Sequence, residues 1–130
     1  NDIFRELKGM SMIHTMNSGI RSLDTKTILD MATVNGAMCF DLEKDYGTIE
    51  EGKKADFILL ETRTPHMQPL RLGRKENATS ALVYNATGQD VTDVFVDGRQ
   101  VVKNRKLLTA DVEYIMKRVK KASDKITASL

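Results

Sequence analysis

The stretch Ala32–Glu61, ATVNGAMCFDLEKDYGTIEEGKKADFILLE, decides how this chain is read. It runs from a helix end through two glycine turns into a compact apolar run. Asn35-Gly36 is placed to end or sharply bend a helix, because glycine enters the left-handed backbone region without steric cost. Ala37 to Leu42 then reads as a last helical turn. Gly47 and Gly52 punctuate the next residues, and Thr48-Ile49-Glu50 between them reads as a short strand. Phe57-Ile58-Leu59-Leu60 has the pattern of a strand buried on both sides.

Upstream, Ile3, Phe4, Leu7, Met10 and Ile13 recur at helical spacing, and the methionines Met10, Met12 and Met16 crowd the same segment. An adaptable Met-rich groove is one reading of that face; ordinary core is the reading adopted. Asn17-Ser18-Gly19 is a break. A second helix comes after it, with Asp24 or Thr25 as N-cap and Ile28, Leu29, Met31 and Ala32 as its apolar positions.

Downstream, Glu61 to Asn77 holds both prolines, Pro65 and Pro69, and reads as a long surface loop of the kind that often carries function or mobility. Ala81-Leu82-Val83-Tyr84 reads as a strand. Val91, Val94, Phe95 and Val96 form another, and Asp97-Gly98 supplies a hairpin turn into Gln100-Val101-Val102. Thr109 or Asp111 caps a final helix whose apolar stripe is Val112, Ile115, Met116, Val119, Ala122 and Ile126. The order of helices, strands and helix predicts an α+β fold for the isolated chain.

The 130 residues carry Lys+Arg 20 against Asp+Glu 18, a net charge of +2 that argues against phosphate-driven nucleic-acid binding. No apolar run approaches the ~20 residues of a membrane span, and the amino-terminal residues lack the pattern of a signal peptide. The sequons at Asn77 and Asn85 are accordingly read as chance. A single cysteine, Cys39, excludes an internal disulfide and fits a reducing, cytoplasmic setting. Asn1 stands where an initiator methionine would, which fits a processed chain or a piece of a longer one.

No chemistry in the sequence is self-sufficient. His14 and His66 belong to no HxH or HExxH motif, so a metal site built from them is not expected, and both read as surface or partly buried side chains. Cys39, between Met38 and Phe40, reads as a small buried hydrophobe and not as a nucleophile. Glu50-Glu51 beside Lys53-Lys54 reads as a solvated turn. Gly47, Gly52 and Gly73 fit neither GxGxxG nor a P-loop. Lys117, Arg118, Lys120 and Lys121 read as the solvated face of the last helix. The expected catalytic, cofactor-binding and metal-ligating residues within the chain are therefore none.

Three blocks of residues resemble one family. Leu29-Asp30-Met31-Ala32-Thr33-Val34-Asn35-Gly36-Ala37 is similar to a "MATxNGA" helix end, Gly47 to Asp56 to a "GSLExGKxAD" turn leading into a strand, and Val94 to Val102 to a closing "VxVxGxxV" hairpin. Asp2 to Glu6 looks like the helix that succeeds the last barrel strand. Together they resemble the C-terminal segment of metal-dependent amidohydrolases, in the branch of adenosine-type and guanine deaminases and triazine chlorohydrolases. Asp41 departs from the pattern, since many relatives have glycine there.

The resemblance implies the last helices of a (β/α)₈ barrel in residues 1–46, C-terminal strands of a small β-sandwich in 47–108 with a variable loop near 62–79, and a terminal helix in 109–130. It also implies a divalent metal, zinc or iron, in the full-length enzyme, with its histidines and aspartate upstream of Asn1. The isolated chain is then expected to be inactive, to have the missing N-terminal barrel portion as partner, and to self-associate through its open faces. No nucleic-acid or membrane partner is expected. The alternative is a stand-alone, non-catalytic oligomerisation or binding module derived from that family.

Overall fold

The computed structural model describes residues 2–18, 23–73 and 75–128. Of the predicted break at Asn17-Ser18-Gly19, Asn17 and Ser18 instead continue α1, which runs to Ser18, and Gly19 lies outside the described residues. Among the described residues, five helices and four strands run in the order α1 (Ile3–Ser18), α2 (Thr25–Met31), α3 (Val34–Met38), β1 (Phe57–Leu60), α4 (Ala78–Tyr84), β2 (Val91–Val96), β3 (Arg99–Lys103), β4 (Lys106–Leu107) and α5 (Val112–Thr127). Two short 3₁₀ turns, Pro65–Met67 and Gly88–Asp90, flank α4. The fold is α+β, as the sequence predicts, with one four-stranded antiparallel sheet ordered β1-β2-β3-β4.

The caps explain where the helices start. Asp24, extended at φ −67° and ψ 153°, accepts the Thr27 backbone N–H at 2.9 Å and opens α2. Asp111 does the same for Tyr114 at 3.0 Å and opens α5. At the front of the chain, Asp2 accepts the Phe4 N–H at 3.1 Å and, across 86 residues of sequence, the Gly88 N–H at 2.9 Å. The first turn of α1 is thereby tied to the turn that feeds β2.

The largest departure from the sequence reading is Ala81–Tyr84, which lies in helix α4 and not in a strand. Its apolar run is too short for periodicity to separate a buried helix from a buried strand, and tertiary packing decides. Ala81 and Val83 are buried there. α4 packs on α1 and α2: Ser11 on α1 shares a 3.0 Å hydrogen bond with the Tyr84 hydroxyl, and Thr25 on α2 shares one of 3.0 Å with Thr79. Val83 joins Leu7 and Ile28 in one cluster. Ala81 and Ala86 join Phe4 and Met67 in a second, against which Leu60 and Val91 of the sheet pack.

Met67 corrects a second reading. The Glu61–Asn77 segment is not merely a surface loop, because its 3₁₀ turn drives Met67 into the core at 1% exposure. Asn77 pins the return of this segment, accepting the Arg71 N–H at 2.7 Å and donating to the Pro69 carbonyl at 2.8 Å.

Other expectations fail as well, those on β1 and α1 because their apolar residues meet no second layer among the described residues. Thr48–Glu50 forms no strand. Among the described residues β1 is an edge strand, paired only with β2, and Ile58 and Leu59 are 40% and 48% exposed instead of buried on both sides. On α1, Phe4 and Leu7 are buried, but Ile3, Met12, Ile13 and Met16 face outward. The helix around Asn35-Gly36 neither ends nor bends there; α2 stops at Met31, and both residues lie inside α3. Ala37 to Leu42 is helical only as far as Met38.

In the sheet, Phe57 pairs with Phe95 and their rings stack at 4.5 Å. The predicted hairpin is present. Asp97 and Gly98 both take positive φ, 49° and 75°, as the two central residues of a type I′ turn do. A second tight turn at Asn104-Arg105 leads into β4, which the sequence reading did not include.

Candidate functional site

The two histidines end up on different elements. His14 lies partly exposed on α1, lining a shallow crevice with Glu6, Met10 and Asn17. His66 sits in the 3₁₀ turn and places Nε2 3.0 Å from each carboxylate oxygen of Asp90. Asp90 is 4% exposed and also accepts the Thr87 N–H at 2.8 Å and the Thr87 hydroxyl at 3.0 Å. Burial acts most strongly on this carboxyl and pushes its pKa up. The hydrogen bonds from His66 and Thr87 together outweigh it and hold the pKa below the ordinary value. An ionised carboxylate only accepts, so the His66 Nε2–H is the donor.

This pair joins positions 24 residues apart, and no local spacing in the sequence announces it. Chemically it is a clasp. The Thr64 hydroxyl stands 3.5 Å from the same His66 nitrogen, too far to be activated as a nucleophile. Glu61, nearby in the chain, is equally committed. The Arg63 guanidinium reaches both its oxygens at 3.1 Å and the Arg63 N–H reaches one at 2.9 Å, which brings its pKa down to about 2.

Cys39 is exposed, not buried, at the C-cap of α3, a helix with no buried residue. Glu50 and Glu51 are solvated as expected, with Lys53 3.8 Å from Glu50 and donating to the Glu43 carbonyl at 2.9 Å. Among the described residues, no group of three or more His, Cys, Asp or Glu side chains is arranged to hold a metal ion.

An apolar groove of about 790 Å³ lies between the helices and the sheet. Its walls come from α2 and α3 (Leu29, Ala32, Gly36, Ala37), the loop after α3 (Phe40, Leu42, Tyr46, Thr48, Ile49) and the sheet (Phe57, Ile58, Phe95, Val96). Phe40 is 77% and Ile49 84% exposed, so the groove is apolar and open.

The comparisons with known proteins agree with this architecture. A sequence model of the Amidohydrolase family matches residues 2–101, and the chain belongs to that family. It is 36% identical to a 5'-deoxyadenosine deaminase of Methanobrevibacter smithii over 96% of its own length. It is also 36% identical to a 5-methylthioadenosine/S-adenosylhomocysteine deaminase of Caldanaerobacter subterraneus, again over 96% of the chain. It spans only 28% of each of these relatives. Among solved structures, a zinc-bound adenosine deaminase from Xanthomonas campestris matches with a TM-score of 0.85 at 27% identity, covering 97% of this chain and 28% of that one. The zinc complex of an atrazine chlorohydrolase from Arthrobacter aurescens matches with a TM-score of 0.74, covering 91% of this chain and 25% of that one. At 24% identity this likeness speaks for the fold alone. No helix of the described residues is long and apolar enough to cross a membrane.

Proposed function

We propose that this chain is the C-terminal portion of a cytoplasmic, metal-dependent hydrolase that deaminates a purine-like ring, and that it carries none of the catalytic residues itself. The supporting observation is that nearly the whole chain aligns with about a quarter of several deaminases, while its own described side chains offer no metal cage. On this reading residues 1–46 are terminal barrel helices, 47–108 supply sandwich strands, and 109–130 form a closing helix. The single-sided edge of β1 is where strands of the upstream portion would add.

The divalent metal belongs to that upstream portion, as do the histidines and the aspartate that would bind it. The described residues do not fit a metal, and no step of the reaction is assigned to them. Their contribution is a frame: α1 and α4 pack on the sheet through one cluster and on α2 through a second, so these elements are held against each other. Leaving-group chemistry other than amine release, such as chloride, fits the same frame.

The test is to compare the 14.6 kDa chain with the product of the gene read upstream of Asn1. The longer product is expected to release ammonia from 5'-deoxyadenosine or 5-methylthioadenosine and to lose activity with a chelator. The 130-residue chain is expected to do neither. Chelator-sensitive turnover by the short chain would overturn the proposal.

A further inference from the structure

The two carboxylate oxygens of Asp2 serve different parts of the chain. Oδ1 accepts the Phe4 N–H at 3.1 Å, inside the first turn of α1. Oδ2 accepts the Gly88 N–H at 2.9 Å, in the turn that opens onto β2, and lies 3.5 Å from Arg5 Nε. The anchor at the far end is itself fixed. Gly88 begins the 3₁₀ turn Gly88–Asp90, and Asp90 at its other end is held by Thr87 and His66. A Cβ on Gly88 would stand 3.4 Å from the Asp2 carboxyl carbon, so the carboxylate fits closely against this stretch of backbone.

Phe4 and Leu7, both buried, already seat α1 in the core. Apolar packing has no direction, whereas two hydrogen bonds to one carboxylate fix the position and heading of the backbone where it enters the helix. In a strand–helix barrel the catalytic groups stand at the C-terminal ends of the strands, on the loops that lead into the helices. With residues 1–46 read as terminal barrel helices, the entry to α1 is the end of such a loop.

We propose, resting on that reading, that Asp2 is a positioning residue of the full-length hydrolase: by bridging the first turn of α1 to Gly88 it holds the loop leading into α1, and with it the end of the preceding strand, in place at the catalytic face. Asp2 acts through that loop and not on the substrate. A displacement of about 1 Å at a reacting group costs up to about 10²-fold in rate, and a loss confined to the transition state falls on kcat.

The experiment takes the longer product of the gene read upstream of Asn1, with Asp2→Ala, Gly88→Pro, the two combined, and Val83→Ala as a control. Gly88→Pro removes the bonded N–H itself. Proline suits the first position of a helical turn, and Thr87 before it is already extended at φ −136° and ψ 163°, as proline requires. At a temperature where every variant is folded, Asp2→Ala and Gly88→Pro are each expected to lower kcat by about tenfold or more, with KM within about twofold. The combined variant is expected to lose no more than either alone, because both remove the same contact. Amide exchange in the first turn of α1 is expected to speed up in both. Val83→Ala, which empties buried volume between α1, α2 and α4, is expected to lower Tm with kcat unchanged. Parental kcat in Asp2→Ala, or losses that multiply in the combined variant, would overturn the proposal and leave the hydrolase reading standing. So would a kcat loss in Val83→Ala as large as that in Asp2→Ala, since a general loosening of the fold would then account for both. A longer product without chelator-sensitive turnover would overturn the hydrolase reading and the proposal with it.

Discussion

His66 Nε2 stands 3.0 Å from both carboxylate oxygens of Asp90, and that contact locks the turn before α4 to the turn after it. The consequence is mechanical. Pro65–Met67 delivers Met67 to the core, and Gly88–Asp90 launches β2, so the clasp fixes the chain on both sides of the helix–sheet junction.

Asp90→Ala is expected to destabilise the fold by about 2–3 kcal/mol, because the Thr87 N–H and the His66 N–H each lose a charged acceptor. The acid dependence has a definite sign. The Asp90 carboxyl titrates below its unfolded value of about 4, so its contribution is fully present above that pH and is lost as pH falls through the folded value. Urea unfolding of the parent chain and of Asp90→Asn between about pH 2.5 and 6 checks this. The stability gap between them should be widest above about pH 4 and close in acid; a constant gap would exclude the linkage.

Gly47 and Gly52 both hold positive φ, 98° and 89°, but only one is packed. A Cβ on Gly47 would stand 3.0 Å from Val34 Cα and 3.3 Å from Ala37 Cβ, whereas nothing lies within 4 Å of one on Gly52. Gly52→Ala is therefore expected to cost only the left-handed backbone penalty, about 1 kcal/mol. Gly47→Ala adds a backbone clash with α3 and is expected to cost about 2–4 kcal/mol. Denaturant midpoints of the two variants, measured side by side, give the difference directly; equal losses would mean that the loop relaxes away from α3.

Asp41 sits at φ 57°, in the left-handed region that a residue with a Cβ occupies at a cost. This is the position at which the sequence departs from the glycine of the family pattern, and the backbone explains why glycine suits it. Asp41→Gly is expected to raise stability by about 0.5–1 kcal/mol, the strain relieved less the extra chain entropy of glycine. Thermal unfolding is a sufficient readout, and a fall in Tm would show that the Asp41 carboxylate contributes more than its backbone costs.

Which parts of this fold are legible in the sequence depends on where the determining forces are local. Asp24 and Asp111 act within three residues, and the Asp97-Gly98 turn within two, so caps and hairpin can be read directly. Ala81–Tyr84 cannot: its conformation is set by Ser11, Thr25 and Leu7, more than 50 residues away. Cys39, Ile58 and Met16 look buried by composition and are not, because burial depends on a second layer that these residues do not meet within the chain. The His66–Asp90 clasp is likewise a product of tertiary folding, bringing together two residues whose sequence neighbours give no hint of each other.

Asp2 offers a last and separable test of how the two ends of the fold are joined. Its carboxylate caps α1 through the Phe4 N–H and holds the Gly88 N–H at 2.9 Å. The Gly88 N–H is the largest influence on it, and with the Phe4 and Arg5 N–H groups and the Arg5 charge it keeps the carboxyl below its ordinary pKa, against the opposing effect of burial. Asp2→Ala is expected to lower the urea midpoint and to speed amide exchange at Gly88 and through the first turn of α1 together. Asp2→Asn, which keeps one accepting oxygen, should restore one of the two regions and not both. Because the group's folded pKa is depressed, the charge-dependent part of the parent chain's advantage over Asp2→Ala is lost as pH falls through that value, leaving what one accepting oxygen contributes. An exchange map in which Gly88 is unaffected by Asp2→Ala would mean that the helix cap is local and the tie across 86 residues carries no free energy.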